Sequence, residues 1–218
     1  MKNLAKNFLT DTDQKKIIDS VKQVEQITSG EIVPMVVSSS YHYPMSDVIG
    51  GFIFSLPISL IMTNFIGGRL WIGTQNMWLF LGLVTVLFIL FHWIIKNVLW
   101  LKKLFISKRE LDAEVEEAAL IGFFNEGLYK TRDNTGILLF ISVFEQRVWV
   151  LADKGINDKV DRGQWDKIVN IILDGIKRKS QADAICQAII KVGEILEEHF
   201  PIKPDDRDEL KNLIIKNE

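Results

Sequence analysis

SGEIVPMVVSSSYHYPMSDVIGGFIFSL, residues 29–56, changes character halfway along. Its first part, EIVPMVVS, has the Val-, Ile- and Met-rich composition of a strand in an α/β domain. Its last part opens a run, residues 48–66, that carries no charged side chain. One strand and the single helix before it cannot bury a core. The chain therefore has to come back from the apolar run and supply further strands downstream.

A second charge-free run covers residues 77–95. Each run has about 19 residues and reaches roughly 28 Å as a helix, close to the hydrocarbon thickness of a bilayer. A transmembrane hairpin is expected within 47–96, with spans over 48–66 and 77–95. The connection GGRLWIGTQN is too short to be a domain. Trp71, Trp78, Trp93 and Trp100 fall at or near the expected interfaces, where indole rings act as anchors. His92 lies near the end of the second span, where a neutral imidazole costs little. Lys96, Lys102, Lys103, Lys108 and Arg109 follow that span, against Arg69 alone in the loop. This bias places the C-terminal flank in the cytoplasm, and two spans return the chain to the side it left. The expected location is the cell membrane, with both termini and the α/β domain cytoplasmic.

Net charge is −2 with 25% charged residues, so no overall basic field points to nucleic acid. The expected partners are the lipid bilayer and a membrane protein. The one cysteine, Cys186, excludes an internal disulfide. Its neighbours Ile185, Ala188 and Ile189 make it a structural thiol on an apolar helix face. The N-terminal MKNLAKNFLTDTDQKK lacks the apolar stretch of a secretory signal.

Residues 1–46 and 97–218 make up the α/β part. Thr10 or Asp11 caps a helix whose Ile17, Val21 and Val24 recur at helical spacing. Beyond the hairpin, residues 107–128 form an acidic amphipathic helix whose Glu110, Asp112, Glu114, Glu116 and Glu117 read as a solvated face. Residues 136–143 and 146–152 form a β-hairpin around Phe144 and Glu145. Two helices follow, one lined by Trp165, Ile168 and Ile172, the other opening on a capping box from Ser180 to Asp183. A short helix over 206–215 closes the chain. The fold class is α/β, a small mixed sheet of at least three strands flanked by helices as an α/β/α sandwich, interrupted by the hairpin.

Such folds place ligands at strand ends. Asp133 and Asn134 precede the first arm of the β-hairpin, Asp153 follows the second, and Asp158 comes a turn later. Antiparallel arms make those ends neighbours. Oxygen ligands of this kind suit Ca²⁺ or Mg²⁺ and not zinc. The same residue types build turns and helix caps, and both readings stand at this point. For ester hydrolysis, Lys154 and Arg132 are the available cations. No P-loop, Gly-x-Ser-x-Gly or His-rich set is present. His42, between Tyr41 and Tyr43, reads as part of an interfacial anchor.

FLTDTDQKKI, SGEIV and NTGILLFISVFEQRVWVLADKGIND together resemble the TPM domain of thylakoid lumen, bacterial envelope and nematode receptor-associated proteins. Leu9-Thr10, Ser29-Gly30-Glu31-Ile32 and Asn134-Thr135-Gly136-Ile137-Leu138-Leu139 fill its pattern. At the second arm's end Gly155 matches, but the Gly-Tyr pair is lost and Asn157 stands where the family has Glu. The ending HFPIKPDDRDELKNLI and the inserted hairpin resemble a bacterial membrane-anchored branch. The resemblance implies an α/β/α fold and, for some relatives, a calcium site with acid phosphatase-like activity. Others act as assembly or repair factors for membrane complexes. The function expected here is a membrane-anchored interaction or assembly factor, with a divalent-cation-dependent hydrolase as the alternative.

Overall fold

All seven residues of the first strand, Glu31–Val37, are buried, which only a strand covered on both faces can achieve. The computed structural model describes residues 3–202 and 209–217. In chain order the elements are α1 (Leu4–Phe8), α2 (Asp11–Val24), β1 (Glu31–Val37), α3 (Pro44–Arg69), α4 (Met77–Asn97) and α5 (Leu99–Lys103). Then come α6 (Lys108–Asn125), a 3₁₀ turn (Leu128–Lys130), β2 (Gly136–Ser142), β3 (Arg147–Ala152), α7 (Lys154–Asn157), α8 (Arg162–Lys177), α9 (Gln181–His199) and β4 (Ile214–Lys216). The chain divides into two compact units, His42–Leu111 being one and the residues on either side of it the other.

In the discontinuous unit a four-stranded mixed sheet runs in the order β3-β2-β1-β4. β1 is parallel to β2 and to β4, whereas β2 and β3 are antiparallel. Strand alternation sorts the side chains onto two faces. Ile32, Val36, Ile137, Leu139 and Ile141 join Val21, Ile168, Ile172, Ile185 and Ile189 of α2, α8 and α9. Val33, Met35, Leu138 and Phe140 face Val115, Ala119 and Phe123 of α6. The result is the expected α/β/α layering.

Pro34 sits within a central strand, a place proline normally avoids. Odd-numbered amides of β1 and its flanks bond toward β2, as Glu31 N–H does to Thr135 O, and even ones toward β4, as Ser38 N–H does to Lys216 O. The missing N–H of Pro34 thus falls on the β4 side, and β4 begins only opposite Met35. No ladder bond is lost there.

Two local expectations change. The closing helix expected over 206–215 is instead strand β4 at Ile214–Lys216, while residues 206–208 lie outside the described residues. The bare edge of β1 offers backbone partners that outweigh a weak helical pattern. Ser180 makes no cap, since its hydroxyl turns back to Gly175 O and Asp183 pairs with Lys16. The capping box in this chain belongs to Thr10 and Asp13. Glu145 does lie in the hairpin turn, as expected, and there it is completely buried.

Glu126 ties the end of α6 to the C-terminal strand, 2.9 Å from Lys216 Nζ and 3.2 Å from Lys211 Nζ. The hydrogen bond from Lys216, seconded by Lys211, holds its carboxyl below the ordinary value of 4.5. A carboxylate that is more acidic in the folded state adds stability that is complete above its unfolded value and disappears as pH falls through the folded one. Acidification from neutral pH to 4.5 should therefore leave this tie intact, and further acidification should release it. Glu126→Gln should flatten that part of the acid-unfolding curve, and superimposable wild-type and variant curves would refute the assignment.

The other unit is a helical hairpin with α5. Gly51, Ser55, Ser59, Thr63 and Gly67, one residue in four, form a buried small-residue stripe along α3. Such a stripe lets two helices approach closely. A Cβ on Gly51 would meet the Phe88 ring of α4 at 2.9 Å, and Phe52 stacks on Phe88 with centroids 4.5 Å apart. The outer sides stay bare: Val86, Ile89 and Trp93 are 65%, 63% and 64% exposed. Both helices are long and apolar enough to cross a membrane, with mean hydropathies of 1.8 and 2.4. A core helix of a soluble protein would have covered those sides. Lys102 of α5 and Asp47 of α3 form an ion pair of 3.0 and 3.1 Å, their side chains only 4% and 7% exposed.

Candidate functional site at the acidic end of the sheet

The amino ends of β1 and β2 and the carboxyl end of β3 lie side by side. Glu31 N–H donates to Thr135 O at 3.1 Å, and Asp153 N–H to Gly136 O at 2.9 Å. The loop entering β2 is tightened by two bonds, Asn134 N–H to Thr131 O and Thr135 N–H to Thr131 Oγ1. Asn134 takes a left-handed φ of 55°, which asparagine tolerates better than most residues.

Asp153 is the N-cap of α7. Its Oδ1 accepts from Lys154 N–H at 2.7 Å, while its Oδ2 is buried and has no hydrogen-bond partner among the described residues. An acceptor in that state is costly unless something else fills its need. Beside it, a Cβ on Gly155 would lie 2.7 Å from Asn134 O and 3.2 Å from Asp133 O. Only glycine lets the two main-chain carbonyls press so closely onto α7.

Asp133, Asn134 and Asp153 are thus brought to one end of the sheet. Asp133 Oδ2 lies 3.8 Å from the Arg132 guanidinium. Asp158 is the C-cap of α7 and is exposed. Asn157 has a structural task, donating from Nδ2 to Ala152 O at 2.6 Å, and Asp161 caps α8 through Gly163 N–H. Of the two cations considered for hydrolysis, Arg132 is turned to Asp133 and Lys154 is exposed. His42 and Tyr41 are exposed, whereas Tyr43 is buried.

Sequence reasoning passed over Glu31 as a site residue. Its side chain is buried at this same end, and its Oε1 accepts from Glu209 N–H at 3.2 Å. Glu209 in turn accepts from Arg132 N–H. The signal was an acidic residue opening an otherwise apolar strand. Among the described residues no three Asp, Glu, His or Cys side chains come close enough to hold an ion unaided. An ion here would draw on main-chain carbonyls as well, as calcium sites do.

The family model of the TPM domain matches residues 103–195. Comparison with curated protein sequences gives no match. Among solved structures, the fold is similar to the NMR structure of BA42 protein from Bizionia argentinensis, with a TM-score of 0.59 and 23% identity over 96% of this chain and 95% of that one. The matched segment starts after α4 and ends within α9, and so omits β1 and β4, two of the four strands of the sheet.

Proposed function

We propose that the chain is a membrane-anchored interaction or assembly factor for membrane proteins, a reading supported by the match of residues 103–195 to the family model of the TPM domain. The hairpin α3–α4 is the anchor, and its bare apolar sides support this. Lys102 is cancelled by Asp47, yet Lys96, Lys103, Lys108 and Arg109 still outnumber Arg69, which favours the α/β unit on the cytoplasmic side.

The acidic end of the sheet binds a divalent cation, Ca²⁺ in preference to Mg²⁺. The observation that carries this is the buried Oδ2 of Asp153, without a hydrogen-bond partner among the described residues, two positions before Gly155, against which the carbonyls of Asp133 and Asn134 press. An all-oxygen set with irregular carbonyl donors suits the flexible coordination of calcium. Asp133 and Asp153 supply the charge, Asn134 a carbonyl, and Asp158 an outer carboxylate.

Calorimetric titration of the full chain in detergent with CaCl₂ tests the site. Asp133→Asn and Asp153→Asn should each weaken binding about tenfold or more, and Asp158→Asn much less. Unchanged affinity in the first two variants removes the site and leaves these residues as a turn and a cap. Hydrolysis of a phosphate monoester, abolished by the same variants, would instead establish the hydrolase.

A further inference from the structure

The outward face of α6 has an unusual gradient. Glu116 and Glu117 are exposed, and no ion pair holds either of them among the described residues. The next positions on that face are Leu120, Ile121 and Phe124, which are 47%, 51% and 53% exposed. Tyr129 extends the patch, its ring 5.3 Å from that of Phe124, and Lys130 lies over Tyr129 at the far end. Soluble surfaces seldom leave so many large apolar side chains together, and such patches mark interaction sites.

Beside this ridge the α6 layer leaves a cavity of about 300 Å³. Ala118, Ile121 and Gly122 form its wall, Met35, Val37 and Phe140 its floor, and Ser40 and Lys216 part of its rim. Gly122 sets its depth, because a Cβ there would meet Met35 Sδ at 3.1 Å. The volume takes one leucine- or phenylalanine-sized side chain, the kind of anchor that dominates binding energy at an interface.

We infer that this face docks an amphipathic helix of a protein partner carrying Lys or Arg at one end and large apolar residues along one side. The helix sets its basic end over Glu116 and Glu117 and one apolar side chain into the cavity beside Ile121. The charge decides the occupant. An anionic lipid surface would accept Leu120, Ile121 and Phe124 but be repelled by the two free carboxylates, whereas a basic amphipathic helix satisfies both halves. The cytoplasmic flanks of transmembrane helices are rich in Lys and Arg, so the partner chemistry deepens the assembly-factor reading and rests on it.

The full chain in zwitterionic nanodiscs is titrated with a synthetic amphipathic peptide of leucine and lysine with one tryptophan. Binding should weaken with salt and should fall at least tenfold in Glu116→Lys/Glu117→Lys. It should fall similarly in Phe124→Asp, which adds negative charge but removes apolar surface. Peptide affinity equal in wild type and both variants overturns the inference, as does tighter binding to Phe124→Asp, which would mean non-specific attraction to charge. Concentration-dependent dimers that Phe124→Asp abolishes would assign the face to a second copy and overturn it too. So would binding to anionic vesicles that depends on Phe124. All substitutions are on the surface, and circular dichroism of each variant checks that it is folded. Asp133 and Asp153 are not on α6, so failure of the cation site leaves these outcomes unaffected.

Discussion

Asp47→Ala should destabilise the helical hairpin by about 3–5 kcal/mol, the penalty for leaving a buried charge without its partner. Among the described residues Asp47 is the carboxylate paired with Lys102, whose side chain is 4% exposed and makes both of its short contacts there. Asp47 also occupies the first turn of α3, where a negative charge interacts favourably with the helix dipole. The converse variant, Lys102→Ala, strands the carboxylate and should lose a comparable amount. Replacing both, as Asp47→Leu/Lys102→Met, should restore most of the stability, because a buried ion pair is often no more stable than apolar side chains of the same volume. Denaturant unfolding in detergent micelles, followed by tryptophan fluorescence, measures all three. A single-variant loss below about 1 kcal/mol would show that the pair is solvated and weak, as exposed pairs are.

Glu145→Ala should cost the α/β unit about 2–3 kcal/mol. Glu145 is fully buried, and its Oε1 accepts from Ser40 N–H at 3.0 Å. The Ser142 hydroxyl donates to its Oε2, and the Ser40 hydroxyl donates to Ser142 Oγ at 3.1 Å. This chain of bonds fastens the exit of β1 to the β2–β3 turn, so alanine would leave a backbone N–H and a hydroxyl without acceptors. Glu145→Gln keeps an oxygen for Ser40 and lets Ser142 Oγ accept in its turn, so its loss should be about half as large or less. Equal losses in the two variants would mean that the side chain acts by filling space and not through its bonds.

Much of the architecture was legible because it is written in runs of residues. Two charge-free stretches predicted α3 and α4, and the Val- and Ile-rich arms predicted β1, β2 and β3; all but α3 fall within a residue or two of their observed limits, and α3 runs four residues earlier and three later than its charge-free core. The turn of Asn134 and the cap at Asp153 were also readable, since asparagine and aspartate do those things in any protein. What escaped were the pairings between residues far apart in the chain. Nothing near Glu145 announces Ser40, and nothing near Asp47 announces Lys102. Glu31 looked like an ordinary strand entry until Asp153, Asp133 and Glu209 were found gathered at the same end of the sheet.

By itself, then, the amino-acid sequence determined the local states: which segments are helices and strands, which two helices are apolar enough to cross a membrane, and that the first strand needs partners from beyond them. Periodicity and composition act over a few residues, and they suffice for that. Only the tertiary structure decided that Ile214–Lys216 would join β1 and not coil into a helix, and that proline would be harmless inside that strand. It alone left one carboxylate oxygen of Asp153 buried without a hydrogen-bond partner among the described residues. Those outcomes depend on which backbone and side-chain groups lose water together on folding, and that is set by contacts between segments more than a hundred residues apart.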